Sequence, residues 1–301
     1  MATPHEYNID FEKHKATTEI CNKILSIAIA STKIHSLVIE RKNEQVMQRI
    51  PLHVCIHGEM GIGKSTSLRA ISDMQKISIN TSISKASLYG SIEMYSKEFV
   101  FPLLWLVRNN VFLFDEFIIP ESKEYTHDLF LHLLSIIESQ KYSKVMGIKL
   151  SGKAINEHDR FNKNLFCRVK KNVIEVKTNF SFIFTTMDNP YGCKSPHALA
   201  FFDRCISLHF NPTIEEQIAM TRGNNLFNLY PIDVKQDVFV KNEDLEFIIK
   251  FVVDKNLPSG YMRTVGDCLR IFAVLGFHDE QLYDYLCENK KYFLSRHFSR
   301  L

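Results

Sequence analysis

One segment of the sequence combines residue types and spacing that suit the binding of a polyphosphate. The segment Gly58–Ser65 fits the pattern G-x-x-x-x-G-K-[ST] at every fixed position. Glycines in this pattern let successive backbone N–H groups point inward at phosphate oxygens, and the positive end of the following helix adds to the attraction. Lys64 would reach the β- and γ-phosphates of ATP, and the Ser65 hydroxyl would bind Mg²⁺. The predicted ATP-binding residues are Gly58, Glu59, Met60, Gly61, Ile62, Gly63, Lys64, Ser65 and Thr66.

A pair of acidic residues follows a second apolar run. The run Val111–Phe114 is typical of a buried strand, and Asp115 and Glu116 come directly after it. Such a strand presents its carboxylates at its C-terminal edge, beside the phosphate-binding loop. We expect Asp115 to hold Mg²⁺ through water and Glu116 to polarise the water that attacks the γ-phosphate. The adjacent pair favours hydrolysis over simple nucleotide storage.

Two further polar residues are candidates for the same site. Asn189 ends an apolar predicted strand and would orient the attacking water or contact the γ-phosphate; alternatively it forms an Asx-turn before Pro190. Arg204 precedes the apolar run Ile206–Phe210. Its guanidinium would suit transition-state phosphate charge in the site of a neighbouring subunit. Alternatively, Arg204 pairs with Asp203 of its own chain, and the sequence leaves both roles open.

Eight short segments occur in an order that resembles one family of nucleotide-binding proteins. They are Gly58–Ser65, Ser84–Gly90, Glu98–Leu103, Phe114–Glu116, Lys177–Phe180, Thr186–Pro190, Ala200–Arg204 and Pro258–Val265. Together they resemble the AAA+ ATPases, in particular the clade of MoxR-like proteins, McrB, midasin and the dynein motor modules. The last segment is similar to the sensor-2 helix of that family, which would make Arg263 a γ-phosphate contact. An ordinary surface arginine is the alternative for that position.

The resemblance implies a fold, an activity and partners. The fold is a P-loop NTPase core followed by a small all-helical lid, and the activity is Mg²⁺-dependent ATP hydrolysis. The family also implies a homo-oligomeric ring, usually a hexamer, that remodels or regulates a protein or nucleoprotein partner. The sequence departs from the family at Phe117–Pro120, where a polar segment is usual, and at Cys205, where a phenylalanine is usual.

The order of the apolar runs predicts how these residues come together. From residue 51 to residue 212, runs of strand length alternate with helix-like stretches, which indicates an α/β fold with a parallel sheet covered by helices. Thr213 and Glu216 form a capping box, and the chain beyond them has helical periodicity. We therefore expect an ATPase core at 51–212 and a helical lid at 213–301.

The first 50 residues are expected to form a helical lead-in. The apolar residues that recur there at helical spacings are Ile20, Ile24, Ile27, Ile34, Leu37 and Val38. An amphipathic stretch of this kind most often packs on the core of its own chain, and the alternative is that it binds a partner.

An insertion between residues 141 and 177 is strongly basic. It holds ten lysines and arginines against three acidic residues, although the whole chain has a formal net charge of only +3. The resemblance implies that the insertion is a loop facing a central pore, where its charge would bind nucleic acid or an acidic polypeptide. The alternative is a solvated surface hairpin.

Composition excludes several classes of protein. The 301 residues are 45% hydrophobic and 24% charged, which is typical of a globular chain and excludes disordered or fibrous ones.

No apolar stretch is long enough to cross a bilayer, and no signal peptide is recognisable, so we expect no membrane partner. Seven scattered cysteines without a CxxC pair predict structural thiols of a reducing, cytoplasmic compartment.

Two other functions remain open beside a ring-forming ATPase. Thr185 and Thr186 also fit a superfamily 3 helicase of the picorna-like virus kind, although Asp115–Glu116 replaces the paired aspartates usual there. In a third interpretation the chain is a nucleotide-gated assembly switch that hydrolyses ATP slowly and recruits a partner.

Overall fold

The computed structural model of the chain describes residues 15–41, 44–48, 51–84, 87–88, 91–92, 99–100, 110–118, 125–145, 167–170, 173–187, 190, 196–254, 261–277 and 279–293. In its first half the elements are β1 (Lys15–Ala16), α1 (Thr18–Ser31), β2 (Ser36–Arg41), β3 (Glu44–Gln48), β4 (His53–His57), α2 (Lys64–Gln75), β5 (Ile79–Asn80), β6 (Ser91–Ile92), β7 (Phe99–Val100), β8 (Val111–Phe114) and α3 (Tyr125–Ser139). The elements that follow are β9 (Lys141–Val145), β10 (Cys167–Lys170), β11 (Val173–Lys177), β12 (Ser181–Thr186), α4 (Pro196–Phe202), β13 (Cys205–Phe210), α5 (Ile214–Thr221), β14 (Asp237–Val240), α6 (Asn242–Asp254), α7 (Tyr261–Leu275) and α8 (Asp279–Phe293).

A six-stranded parallel sheet forms the centre of the fold. Its strand order is β1-β13-β4-β12-β8-β5, and each neighbouring pair is parallel. Every residue of β4, β8 and β12 is buried, as expected for strands with helices on both faces. Helices α1 and α2 both pack against this sheet. The prediction of an α/β fold with a parallel sheet flanked by helices is therefore confirmed.

The strand register brings four carboxyl ends to one edge of the sheet. Thr186 at the end of β12 pairs with His57 at the end of β4, and His209 of β13 pairs with the same residue. On the other side of β12, Phe184 pairs with Phe114, the last residue of β8. Segments that follow these strands are consequently held close together at this edge.

An aromatic cluster fixes β8, β12 and α4 against one another. Phe182 stacks on Phe184 with ring centroids 4.8 Å apart, and Phe112 lies 5.3 Å from Phe182. Phe117, just after the acidic pair, stacks on Phe201 of α4 at 5.5 Å. Aromatic pairs of this kind contribute about 0.5–1.5 kcal/mol beyond the burial of their area. The apolar segment after the acidic pair is thus anchored in the core by Phe117.

The prediction of a helical lead-in over residues 1–50 is wrong for its second half. Helix α1 covers only Thr18–Ser31, and an antiparallel hairpin of β2 and β3 follows it. In β2, Leu37 and Ile39 are buried whereas Glu40 is exposed, which is the period of two expected for a strand. Ile34, Leu37 and Val38 continued the helical spacing by coincidence. Helix α1 itself packs against β4, β12 and β13 of the core.

The prediction of an all-helical lid at 213–301 also requires correction. Helices α5, α6, α7 and α8 account for most of its described part, but β14 pairs in parallel with β2. This pairing creates a second sheet with the order β14-β2-β3. Helix α7 moreover packs on α1, and one buried apolar cluster extends from α1 through the central sheet into α6, α7 and α8. The boundary at residue 212 therefore does not separate two independent cores.

The basic insertion forms a three-stranded antiparallel sheet, with the order β10-β11-β9, in its described parts. It joins the core at the amino-terminal edge of the central sheet, opposite the edge where Thr186 ends β12. Gln140 anchors this junction: its backbone carbonyl accepts from the Thr178 N–H at 2.8 Å, and its side-chain Oε1 accepts from the Phe180 N–H at 3.1 Å. Asn179 completes the junction by donating to the carbonyls of Thr32 and Ile34 at 2.7 and 3.0 Å.

Among the described residues, no helix is both long and apolar enough to cross a membrane.

Glu216 joins the start of α5 to the start of α1. Its Oε2 accepts from the Thr213 N–H at 2.7 Å, which completes the predicted capping box, and its Oε1 accepts from the Thr18 N–H at 3.0 Å. We expect Glu216→Ala to lower the free energy of unfolding by about 2 kcal/mol, since hydrogen bonds to charged groups contribute about 1.5–3 kcal/mol. Urea unfolding measures the change.

Glu215→Ala is the matched control, because it removes the same charge from the same helical turn. Glu215 is exposed, and its carboxylate bonds to its own backbone and to the Thr213 side chain, so we expect a smaller loss than in Glu216→Ala. Equal losses in the two variants would show that helix-dipole charge, and not the bridge to Thr18, accounts for the effect.

Candidate functional site

The loop that carries the Gly58–Ser65 motif connects β4 to α2, as the motif predicts. Gly58, Gly61 and Gly63 all have positive φ angles, of 149°, 81° and 97°. A side chain at Gly58 would be excluded by space as well, because its Cβ would lie 2.7 Å from the carbonyl oxygen of Phe210. The loop can therefore follow this path only with glycine at its first position.

Helix α5 closes one side of the loop. Met220 Sδ lies 3.0 Å from the position that a Cβ on Gly63 would take, and the Phe210 ring lies 3.8 Å from it. Ile62 turns back over Gly58, whereas Met60 at the tip of the loop is 79% exposed. The Thr66 N–H donates to the Gly63 carbonyl at 3.0 Å, which begins the first turn of α2.

The ammonium group of Lys64 lies inside the curve of the loop. Its Nζ donates to the carbonyl oxygens of Gly58 at 2.7 Å and Glu59 at 2.5 Å, and the residue is only 8% exposed. Burial lowers the pKa of Lys64, and the charges of Asp115 and Glu116 oppose that shift. The loop thus holds the Lys64 side chain against two of its own backbone carbonyls, within electrostatic reach of both acids.

Ser65 and Asp115 meet directly. The Ser65 hydroxyl donates to Asp115 Oδ1 at 3.0 Å, although the two residues are 50 positions apart. The Asp115 N–H donates to the Asn80 carbonyl at 2.8 Å, which fixes the backbone at the end of β8 against β5. The structure therefore brings together the two residues that the sequence predicted as Mg²⁺ ligands.

A hydroxyl and a carboxylate are suitable ligands for Mg²⁺. This ion prefers oxygen, uses few protein ligands and keeps several waters or substrate oxygens. The described residues contain no cluster of three or more His, Cys, Asp or Glu side chains that could enclose a metal. Ser65 and Asp115 would hold such an ion together with oxygens of a bound phosphate.

Glu116 has an unusual backbone conformation. Its φ angle is 54°, in the left-handed region that non-glycine residues rarely adopt. Its N–H donates to the Thr185 Oγ1 at 2.9 Å, and its side chain is exposed. The carboxylate of Glu116 is thus free of the core, close enough to the loop to act on the charge of Lys64.

Two histidines that sequence reasoning missed lie beneath the loop. His57 of β4 and His209 of β13 are stacked, with ring centroids 5.1 Å apart and planes at 12°. Burial lowers the pKa of His57 to about 3, and the charges of His209 and Lys64 act in the same direction. His57 is therefore neutral near pH 7. The position of His57 directly before Gly58 was the only feature of the sequence that could have pointed to these histidines.

Arg204 is held by its own chain. Its Nε donates to Glu138 Oε2 at 3.0 Å, its Nη2 contacts the same oxygen, and its Nη1 donates to the Ala200 carbonyl. Arg204 thus forms an ion pair within its own chain, but its partner is Glu138 of α3 and not the adjacent Asp203 that the alternative named. A role in a neighbouring site would require this pair to open.

The two remaining predicted residues are not placed by the structure. Asn189 lies outside the described residues, although Pro190 after it is described and buried. Arg263 lies in α7, but its side chain is outside the description. Their proposed contacts with the γ-phosphate stay predictions.

Comparisons with known proteins do not assign the chain to a family. No protein-family model matches the sequence, and no curated protein matches it significantly. The resemblance to AAA+ ATPases consequently rests on the sequence motifs alone.

Gly58 and Gly61 allow a direct test of the loop geometry. We expect Gly58→Ala to lower the free energy of unfolding by about 3 kcal/mol, because a Cβ would press on the backbone of β13 in addition to the positive φ. An added Cβ at Gly61 would meet open space, so Gly61→Ala should lower the free energy of unfolding only by the cost of its positive φ angle, about 1–2 kcal/mol. Urea unfolding without nucleotide measures both values, and equal losses would contradict the close approach to Phe210.

Proposed function

We propose that the chain binds ATP at the loop Gly58–Ser65 and hydrolyses it with the help of Asp115 and Glu116. The observation that carries the proposal is the hydrogen bond between Ser65 and Asp115, which unites two distant motifs at one edge of the sheet. Ligands bind at this carboxyl edge in open parallel sheets. A glycine-rich turn that matched the motif by chance would not be expected to lie beside an acidic pair.

The contacts of Lys64 support phosphate binding. In the described conformation its ammonium group donates to two loop carbonyls. Phosphate oxygens are stronger acceptors than neutral carbonyls, because the hydrogen bonds become charge-assisted. On binding, Lys64 would exchange these carbonyls for the β- and γ-phosphates, while the backbone N–H groups at the start of α2 face the same anion. The predicted ATP-binding residue Thr66 is the third residue of α2 and therefore belongs to this first turn.

The exposed carboxylate of Glu116 supports hydrolysis. A general base must reach the proton that it removes, and Glu116 follows β8 at the edge where the γ-phosphate would end. Ser65 and Asp115 would hold Mg²⁺, which neutralises developing charge on the phosphate oxygens. Glu116 would then accept the proton of the attacking water.

The family resemblance extends this proposal to a ring of identical subunits. Arg204 would act in the site of a neighbouring copy after release from Glu138, and a protein partner would be remodelled by the ring. The helicase and assembly-switch interpretations share the same nucleotide site. They differ in the partner that stimulates ATP hydrolysis and in whether the protein must hydrolyse ATP to act on that partner.

The register of the basic insertion supports contact with a polyanion. Lys141 pairs directly with Lys177, and Arg168 and Lys170 occupy positions on the same face of the ladder, together with Glu175. Like charges directly opposite each other destabilise a sheet, and a bound anion would relieve their repulsion. We infer that this face contacts the phosphates of a single-stranded nucleic acid.

ATP hydrolysis is the first test. We expect Mg²⁺-dependent release of phosphate by the full chain, and no ATP binding by Lys64→Ala. Glu116→Gln should bind ATP within about threefold of the wild-type affinity but lose at least 100-fold in kcat, because general-base catalysis contributes about 10²–10⁴-fold. Glu243→Gln, an exposed acid on α6, serves as the control and should match the wild type.

The same assay across a protein dilution series tests the ring. Specific activity that rises with concentration, and that Arg204→Ala removes, would support shared sites. Binding of ATP without hydrolysis in the wild type, with no further effect of Glu116→Gln, would favour the switch. Absence of both binding and hydrolysis would contradict the proposed function.

Binding of a fluorescent single-stranded RNA tests the basic face. We expect the Lys141→Ala, Lys177→Ala double variant to reduce the slope of log affinity against log salt by about 1.4, at about 0.7 for each lost phosphate contact. Lys144→Ala, on the opposite face of the same sheet, is the control and should leave the slope unchanged. Equal effects of both variants, or no binding by the wild type, would contradict the inference. Stimulation of ATP hydrolysis by the RNA would favour the helicase interpretation over protein remodelling.

A further inference from the structure

We propose that Thr185 is a positioning residue that sets the conformation of the acidic pair Asp115–Glu116. The inference rests on the proposed function, because it assigns Thr185 a role in ATP hydrolysis through Glu116. Sequence analysis gave this residue no such role.

Three consecutive residues of the acidic segment are bonded to Thr185. Its hydroxyl donates to Asp115 Oδ1 and accepts from the Glu116 N–H at 2.9 Å. Its backbone carbonyl accepts from the Phe117 N–H at 2.8 Å. Since Phe184 pairs with Phe114, the parallel register places Thr185 beside Asp115. One residue of β12 thus controls the path of the chain as it leaves β8.

The hydroxyl is chemically suited to connect the two acids. A threonine hydroxyl has one proton to donate and lone pairs that accept, so it can serve a carboxylate and an N–H group at the same time. Asp115 Oδ1 has a second donor in Ser65, whereas the Glu116 N–H bonds to the Thr185 Oγ1. Loss of the hydroxyl would therefore act mainly on Glu116.

Glu116 depends on such a restraint because its φ angle of 54° is unfavourable for a residue with a side chain. Residues persist in this region when surrounding contacts determine their conformation. The side chain of Glu116 is exposed and contributes no packing to hold it. The bonds to Thr185 therefore fix the direction in which the general base leaves the sheet.

Thr185→Val removes the hydroxyl and keeps the branched shape, and Thr185→Ser keeps the hydroxyl. The matched control is Thr178→Val, because Thr178 is also buried and its hydroxyl bonds to two oxygens of Gln140 at the opposite edge of the sheet. Both valine variants lose a buried hydroxyl, so both are expected to lose some stability. Only Thr185→Val is expected to alter catalysis.

The first measurement is steady-state hydrolysis with separate values of kcat and KM for ATP. We expect Thr185→Val to lower kcat by about 10–100-fold, as for a misplaced catalytic group, with KM within about threefold of the wild type. Thr185→Ser should recover kcat to within about threefold, and Thr178→Val should keep it. A kcat within threefold of the wild type in Thr185→Val, or an equal loss in Thr178→Val, would overturn the proposal.

The second measurement does not require activity. Amide hydrogen exchange of the segment that contains residues 115–117 should become faster in Thr185→Val and stay unchanged in Thr178→Val. Unchanged exchange in Thr185→Val overturns the positioning role. If the wild type hydrolyses no ATP, the proposed function fails and the catalytic part of this inference fails with it. Faster exchange would then still support Thr185 as the residue that holds the acidic pair.

Discussion

The candidate site depends on the parallel pairing of β12 with both β4 and β8. This register aligns the end of β12 with His57, the last residue before the glycine-rich loop Gly58–Ser65, and with Phe114, the last before the acidic pair. A slip of one residue would turn Thr185 to the other face of the sheet and separate it from Asp115. Burial of every residue of β12 makes such a slip costly, because polar and apolar side chains would exchange places.

The two edges of the central sheet have different polar contacts. At the amino-terminal edge, Gln140 and Asn179 are fully buried, and their hydrogen bonds join the insertion to the core. At the carboxyl edge, Lys64 donates to the Gly58 carbonyl and Ser65 donates to Asp115, and both hydrogen bonds are only part-buried. Buried bonds at one edge stabilise the fold, whereas partly exposed bonds at the other remain exchangeable. This division suits a scaffold that holds a binding loop.

The amino- and carboxyl-terminal parts of the described chain are joined at several points. Glu216 connects the first turns of α5 and α1, β14 adds to β2, and α7 packs on α1. Movement of β14 relative to the core would have to carry β2 with it or break their pairing. Because Met220 of α5 also touches the loop at Gly63, the same helix links the loop to the carboxyl-terminal part.

Local patterns in the sequence were enough to predict the features that depend only on residues close together in the chain. The glycines of Gly58–Ser65 indicate the loop, because positive φ angles are a property of single residues. Apolar runs before Asp115 and from Ile206 to Phe210 indicate buried strands for the same local reason. The capping box of Thr213 and Glu216 was likewise predictable, since it spans one helical turn.

Contacts between distant residues were decided by the tertiary structure alone. Helical spacing at Leu37 and Val38 was misleading, because pairing with β3 and β14 overrode the local pattern. The pair of Arg204 with Glu138, the stack of His57 on His209 and the bonds of Thr185 each join residues from different elements. No spacing along the chain encodes them, since strand order and register must be known before any of these side chains can meet.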